Sequence, residues 1–120
     1  MSNNIEFGKK GEELAQAYLR NLSYKLIELN WRFGKNEIDI IAEKDDLIIV
    51  VEVKTRKSNY ICEPEISVTK SKQKSIIRAA NAYLRWNNIS LETRFDIISI
   101  IITPSNYRIK HIEDAFYPTL

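Results

Sequence analysis

Two charged motifs stand inside otherwise apolar stretches of this 120-residue chain, Glu37-Ile38-Asp39 and Glu52-Val53-Lys54. The second closes the run Leu47-Ile48-Ile49-Val50-Val51, apolar without a break, as in a strand covered on both faces. A carboxylate and an amine at the end of such a strand are costly unless paired or coordinated. Their spacing of two puts Glu52 and Lys54 on one strand face. Asp45-Asp46, between Lys44 and Leu47, has the length of a tight hairpin loop. In that register Asp39 stands opposite Glu52 and Glu37 opposite Lys54, with Cβ atoms about 5 Å apart. A longer loop would shift the register and part the carboxylates. Carboxylates this close repel unless a cation lies between them. Lys54 supplies part of that charge, and a divalent metal would supply more. Mg²⁺ takes a few hard oxygens and keeps several waters, which suits an Asp, a Glu and a backbone carbonyl. Taken singly, each of these residues reads as a solvated edge or a structural ion pair. The three together, entered through an unbroken apolar run, read as a site.

The surrounding pattern supplies the elements that would hold it. Gly8 to Leu22 reads as a helix with Leu14, Ala15, Tyr18 and Leu22 as its apolar stripe. Strands are predicted over Tyr24–Trp31, Glu37–Glu43 and Leu47–Thr55, with a turn at Arg32-Phe33-Gly34-Lys35-Asn36. Lys57 to Ser67, polar and containing Pro64, reads as an exposed loop. A second helix is predicted from about Thr69 to Asn87, with Ile76, Ile77, Ala80, Tyr83 and Leu84 at helical spacing and Thr69 or Ser71 as its cap. Strands over Arg94–Ile102 and Tyr107–Ile112 flank a turn at Pro104-Ser105-Asn106. The order α-β-β-β-α-β-β implies a single α/β domain over residues 1–120, a mixed sheet with a helix on each face.

Composition narrows the class. Hydrophobic content of 44% and charged content of 28% fit a globular chain with a real core. A net charge of +2 says little about partners, so local charge must carry that question. With Cys62 as the one cysteine, no internal disulfide can form. The N-terminus lacks the basic and apolar regions of a signal peptide, and no apolar run reaches membrane-spanning length, so a cytoplasmic protein without a membrane partner is expected.

A wider set of residues is more specific. Gly8-Lys9-Lys10-Gly11-Glu12-Glu13-Leu14-Ala15 is followed by Asn30-Trp31-Arg32, Glu37-Ile38-Asp39 and Val51-Glu52-Val53-Lys54-Thr55-Arg56. Then come Val68-Thr69, Lys72-Gln73, Ala79-Ala80, Tyr83-Leu84, Arg94-Phe95-Asp96, His111-Ile112 and Ala115-Phe116. In that order, over nearly the whole chain, the sequence closely resembles the YraN family of small, largely uncharacterised bacterial proteins. That family is similar to the PD-(D/E)XK nucleases, nearest to archaeal Holliday-junction resolvases. The resemblance implies a restriction-endonuclease-like fold in which Asp39 and Glu52 bind Mg²⁺ or Mn²⁺ and the Val53 carbonyl completes the metal site. It also implies that Lys54 orients or deprotonates the attacking water, that Glu12 lies at the site's edge, and that Lys72 and Gln73 occupy a basic-polar position opening the second helix. Ser23 and Asn36 stand where the family has turn glycines.

Such a site would hydrolyse phosphodiesters and read phosphates rather than bases. DNA is then the expected partner, with Arg56, Lys57, Lys70, Lys72 and Gln73 near the site as its contacts and a helix N-terminus assisting. Lys74 and Arg85 read as a solvated helix face, and Arg32 is open between a phosphate and a site carboxylate. His111, on the terminal strand, reads as structural, and Tyr83 as core. Trp31 and Trp86 are open between core and stacking. Cys62 has no paired histidine, no Cys/His cluster suggests zinc, and no glycine loop suggests a nucleotide enzyme. The leading reading is a metal-dependent endonuclease acting on DNA phosphodiesters, with branched or damaged DNA as one candidate substrate and the preferred DNA structure open. The alternatives are a non-catalytic nucleic-acid-binding module and an adaptor in a DNA-processing complex. Intact Asp39, Glu52, Lys54 and Glu12 weigh against a decayed site. Whether a homodimer forms is open.

Overall fold

The computed structural model describes residues 2–57 and 68–118, with side chains from residue 6 onward. Its elements are α1 (Ser2–Asn21), β1 (Lys25–Phe33), β2 (Asn36–Lys44), β3 (Leu47–Lys57), α2 (Lys70–Trp86), β4 (Glu92–Ile102) and β5 (Tyr107–Phe116). The five strands form one sheet in sequence order, antiparallel except for the parallel pair β3–β4. A parallel neighbour needs a crossover, and α2 provides it. The expected α/β order is therefore found. Ends differ: α1 begins at Ser2, β1 reaches Phe33, β3 runs through Lys57, and β5 continues to Phe116. Beyond Lys57, the loop expected over Lys57–Ser67, Cys62 included, lies outside the described residues.

Each face of the sheet buries its own core. Ala15 and Leu19 of α1 pack with Ile40, Ala42, Ile49, Val51, Ile98 and Ile100. Ile76, Ala79, Ala80 and Tyr83 of α2 pack with Ile38, Ile41, Ile48, Val50, Phe95 and Ile97. The run from Ile48 to Val51 thus divides its side chains between two helices, which is why no polar residue interrupts it. The stripe expected on α1 changes at its end. Leu19 is fully buried, whereas Leu22 is 44% exposed because the helix has already stopped.

Both helices end the same way. Tyr24 N–H bonds Leu19 O at 3.0 Å and Ser23 N–H bonds Arg20 O at 3.0 Å, with Ser23 at φ 69°. After α2, Ile89 bonds Leu84 at 2.9 Å and Asn88 bonds Arg85 at 3.3 Å, with Asn88 at φ 52°. These are Schellman ends, which require one left-handed residue. Thr69 caps the start of α2, its hydroxyl accepting the Lys72 N–H at 3.1 Å. In the β1–β2 turn the left-handed residue is Gly34 at φ 61°, while Asn36 already pairs with Phe33 as strand. Asn36 is thus a ladder residue, not the turn residue expected.

The β2–β3 hairpin closes on Asp45 and Asp46, both left-handed at φ 52° and 64°, as a type I′ turn demands. Pairing runs from Lys44–Leu47 to Ile40–Val51, the register expected from the two-residue loop.

Gly11 lets α1 cross closely over β3. A Cβ there would lie 1.8 Å from Thr55 Oγ1 and 2.8 Å from Thr55 Cβ. Gly11→Ala should therefore destabilise the protein by about 1–3 kcal/mol through overpacking, although alanine favours an isolated helix by about 1 kcal/mol. Urea unfolding checks this, and an unchanged or higher midpoint would contradict the close crossing.

Candidate active site

The site forms where β2 and β3 part. Beyond Ile40–Val51 the ladder gives way to a side-chain bond: Val53 N–H donates to Asp39 Oδ2 at 2.8 Å. The two-face alternation slips at the same point. Ile38 belongs to the α2-side core and Ile40 to the α1-side core, although regular alternation would put both on one face. On β1, Asn30 is left-handed at φ 53° and falls between the paired Leu29–Ile40 and Trp31–Ile38. The slip aims the Asp39 carboxyl into the gap between β2 and β3 instead of fully onto one face.

Glu52 lies alongside. Its side chain is 12% exposed and shares a hydrogen bond with Asp39. Burial and then the charge of Glu52 push the Asp39 carboxyl up to about 7, against the opposing bond from Val53. Burial also raises Glu52, with the charges of Lys72 and Lys54 and the Asp39 hydrogen bond working against it. Two partly buried carboxyls this close disfavour a second negative charge, which a proton or a cation between them relieves. Glu12 approaches from α1: burial and then the charge of Asp39 raise its carboxyl, while a hydrogen bond from Asn30 opposes them. Asp39 and Glu52 thus lie side by side with Glu12 toward the edge, but not as the ladder pair expected from the hairpin register, which stops at Ile40–Val51.

One further expectation changes. Glu37 does not face Lys54 across a ladder. It stands opposite Arg32 on β1 and pairs with it at 3.2 Å. Lys72, expected among the DNA contacts, also places Nζ 3.8 Å from Glu52 Oε2. The reason is helical phase. Lys72 lies four and seven residues before Ile76 and Ala79, on the stripe of α2 that faces the sheet. Asn30, beside Glu12, was not singled out as a site residue from sequence. Its left-handed backbone opposite Asp39 is a tertiary feature.

The remaining expected contacts spread outward. Arg56 and Lys57 are exposed at the end of β3, with Lys57 Nζ 5.2 Å over the Phe7 ring. Lys70 is exposed at the start of α2, and Gln73 donates to Val68 O at 2.9 Å. Trp86, 65% exposed, stacks edge-on against Trp31 and Phe33. Tyr83 is buried.

The donor set suits a hard cation. Asp39 and Glu52 offer carboxylate oxygens. A strand residue's N–H and C=O leave the same edge, so the Val53 carbonyl points toward β2 as its amide does. Among the described residues no group of three or more His, Cys, Asp or Glu side chains comes together to hold a metal. Two carboxylates with water completing the shell is the way Mg²⁺ is commonly held, so the residues fit that ion and not a closed all-protein cage.

A second buried cluster lies on the α1 side. Asp96, fully buried, accepts from Arg94 Nε at 2.9 Å, Arg94 Nη2 at 2.8 Å and the Asp114 amide at 3.0 Å. His111 Nε2 lies 2.7 Å from Asp96 Oδ2 and Nδ1 lies 3.1 Å from the Tyr18 hydroxyl. Burial alone would raise Asp96, but His111, Arg94 and Asp114 hold it below the usual carboxylate range. His111 is thus bonded into a structural network.

The fold and the carboxyl pair together define a small mixed α/β protein with an acidic site at the mouth of two parting strands. The chain belongs to the uncharacterised protein family UPF0102, the YraN family, whose model matches residues 11–100. That span includes Glu12, Asp39, Glu52, Lys54 and Lys72. It is 46% identical over 120 residues to a UPF0102 protein of Phocaeicola vulgatus, covering 100% of this chain and 99% of that one. It is 41% identical over 117 residues to UPF0102 protein FP2501 of Flavobacterium psychrophilum, covering 98% of each. The solved chain described as "Crystal structure of SSO0001" overlaps with a TM-score of 0.38 at 16% identity, over 97% of this chain and 54% of that one.

The raised Asp39 gives a signed pH dependence. Between about pH 4 and pH 7 the folded metal-free protein holds a proton that the unfolded chain has released, so stability falls as pH rises through that window. Asp39→Asn keeps an acceptor for the Val53 amide and removes the titration. In EDTA the variant should gain on wild type by on the order of 3 kcal/mol between pH 4 and pH 8. Urea unfolding at several pH values measures this, and parallel pH profiles would refute it.

Proposed function

We propose that this protein is a metal-dependent endonuclease hydrolysing DNA phosphodiesters. The observation that carries the reading is the partly buried Asp39–Glu52 pair at the parting of β2 and β3, flanked by lysines. Asp39, Glu52 and the Val53 carbonyl would hold Mg²⁺ or Mn²⁺ in place of the shared proton. When bound, the ion would supply Lewis-acid polarisation of a phosphoryl oxygen and a more acidic water. Hydrolysis joins a water oxygen to phosphorus and breaks one ester bond, and the departing oxygen takes up a proton. Lys54, on the strand face of Glu52, is assigned to orienting that water and to countering the charge that builds on the phosphate. Lys72 balances Glu52 and, 47% exposed, also has access to a phosphate. Glu12 and Asn30 brace the α1 side of the mouth. Nothing here reads a base edge, so selectivity would come from DNA shape.

A second reading is a DNA-binding module that does not cut. It is favoured by Lys72, whose Nζ 3.8 Å from Glu52 Oε2 already supplies positive charge to the pair from the protein itself.

The test is a cleavage screen over single-stranded, duplex, flap and four-way-junction DNA with Mg²⁺ or Mn²⁺. Asp39→Ala, Glu52→Ala and Lys54→Ala should each lower cleavage by at least about a hundredfold. In calorimetry the carboxylate variants should lose metal heat, and Lys54→Ala should keep it. Metal binding and DNA binding without cleavage of any structure would favour the non-cutting module. Cleavage that survives all three substitutions would remove Asp39, Glu52 and Lys54 from the chemistry.

A further inference from the structure

Charge is distributed unevenly in this chain. Over its 17 residues α2 carries Lys70, Lys72, Lys74, Arg78 and Arg85 and no acidic residue. Setting these five aside from the 18 basic residues leaves the rest of the chain net acidic against 16 Asp and Glu. Helical phase then sorts them. Lys72 faces the sheet and pairs with Glu52, whereas Lys70, Lys74, Arg78 and Arg85 fall on the opposite, outward face. These four form no ion pair among the described residues. The outward face is also concave. It meets the segment after β5 along a groove of about 340 Å³, lined by those four cations, by Asn81 and Ile77, and by Tyr117 on the far wall. Tyr117 is 65% exposed.

We propose that this groove binds a single-stranded DNA segment running from the catalytic mouth along the outer face of α2. The proposal rests on the nuclease reading for its substrate and adds the binding path and the strandedness. Cations at successive turns of one helix follow a phosphate backbone, and Arg and Lys hold phosphates in complementary ways, as a fork and as a point charge. The distance from Lys70 to Arg85 is about 22 Å at 1.5 Å per residue, enough for about six stacked nucleotides. Tyr117 and Ile77 decide the strandedness. A duplex turns only phosphates and groove edges outward and makes no use of an aromatic and aliphatic wall. An unpaired base has a free π-face that stacks on one. An acidic peptide would satisfy the cations but leave Tyr117 without a partner of that kind. Lys70, in the groove, stands two residues before Lys72, which pairs with Glu52 from the other face, so the Lys70 end of the groove is the end nearer in sequence to the carboxyl pair.

The experiment is fluorescence anisotropy in EDTA with a labelled oligothymidylate of about 15 nucleotides and a duplex of equal length. It uses the full chain carrying either wild-type residues or Asp39→Asn, so that cleavage plays no part. Lys74→Glu/Arg78→Glu should weaken single-strand binding at least tenfold and lower the salt slope by about 1.4, two phosphate contacts at about 0.7 each. Tyr117→Ala should weaken it about fivefold, with duplex binding changed less than twofold. Circular dichroism and the unfolding midpoint should match the parent chain, wild type or Asp39→Asn, since all three residues are exposed. The groove is refuted if these variants bind the oligonucleotide as wild type does, and the nuclease reading then stands or falls on its own cleavage test. Equal losses for single strand and duplex, with no effect of Tyr117→Ala, would overturn the single-strand assignment. Poly-glutamate displacing the oligonucleotide at equal charge concentration would give the groove to an acidic polypeptide instead. The expected losses persisting in Asp39→Asn would support the groove whether or not the protein cuts.

Discussion

The bond from the Val53 amide to the Asp39 carboxyl is the interaction on which the site depends. A ladder partner at this point would have kept β2 and β3 zipped and Asp39 fully on one face. The side chain instead takes the amide, the alternation slips, and the strands open. Val53 keeps its donor satisfied, so the opening costs little in unpaired backbone. The carboxyl is held where burial and Glu52 both resist its ionisation. A site poised to exchange a proton for a cation follows from one backbone group finding a side chain in place of a strand.

Around that opening the fold is closely packed. The parallel strands β3 and β4 are covered on both faces by core side chains, and β3, which carries Glu52 and Lys54, is paired to β4 along its length. Asp96 anchors the α1 side. Its bonds to Arg94, His111 and Asp114, with Arg94 reaching the Tyr24 hydroxyl at 2.8 Å, tie β4, β5 and the end of α1 into one polar cluster. A buried carboxylate with this many donors is strongly destabilising to disconnect, because removal of a partner strands a charge. The two acidic groups thus differ in kind. Asp96 is saturated and held as an anion, whereas Asp39 is under-supplied with positive charge.

Charge placement separates the two surfaces of α2. The helix presents a lysine to the carboxyl pair on its inner side and a cationic groove on its outer side. The modest net charge of the whole chain conceals this, because acidic residues elsewhere cancel the excess. Field and partner preference follow local density, not the sum.

Much of this protein is written locally in its sequence. The unbroken run from Leu47 to Val51, the two-residue loop Asp45-Asp46, the Thr69 cap and the helical spacing from Ile76 to Leu84 fixed the element order and the hairpin register. Each depends on residues a few positions apart, where propensity and periodicity act directly. The motifs bearing Asp39, Glu52 and Lys54 were legible for the same reason. What tertiary structure alone decided involves partners far apart in the chain. The slip at Asp39 answers to packing against two different helices. Lys72 turned to Glu52 because the phase of α2 over the sheet put it there. Asn30 reaches Glu12 only when α1 lies beside β1. Tyr18 meets His111, 93 residues away, and Tyr117 closes a groove with α2 that no local pattern announces. Such contacts depend on the docking angle of whole elements, a sum over many weak packing contacts that no short window of sequence contains.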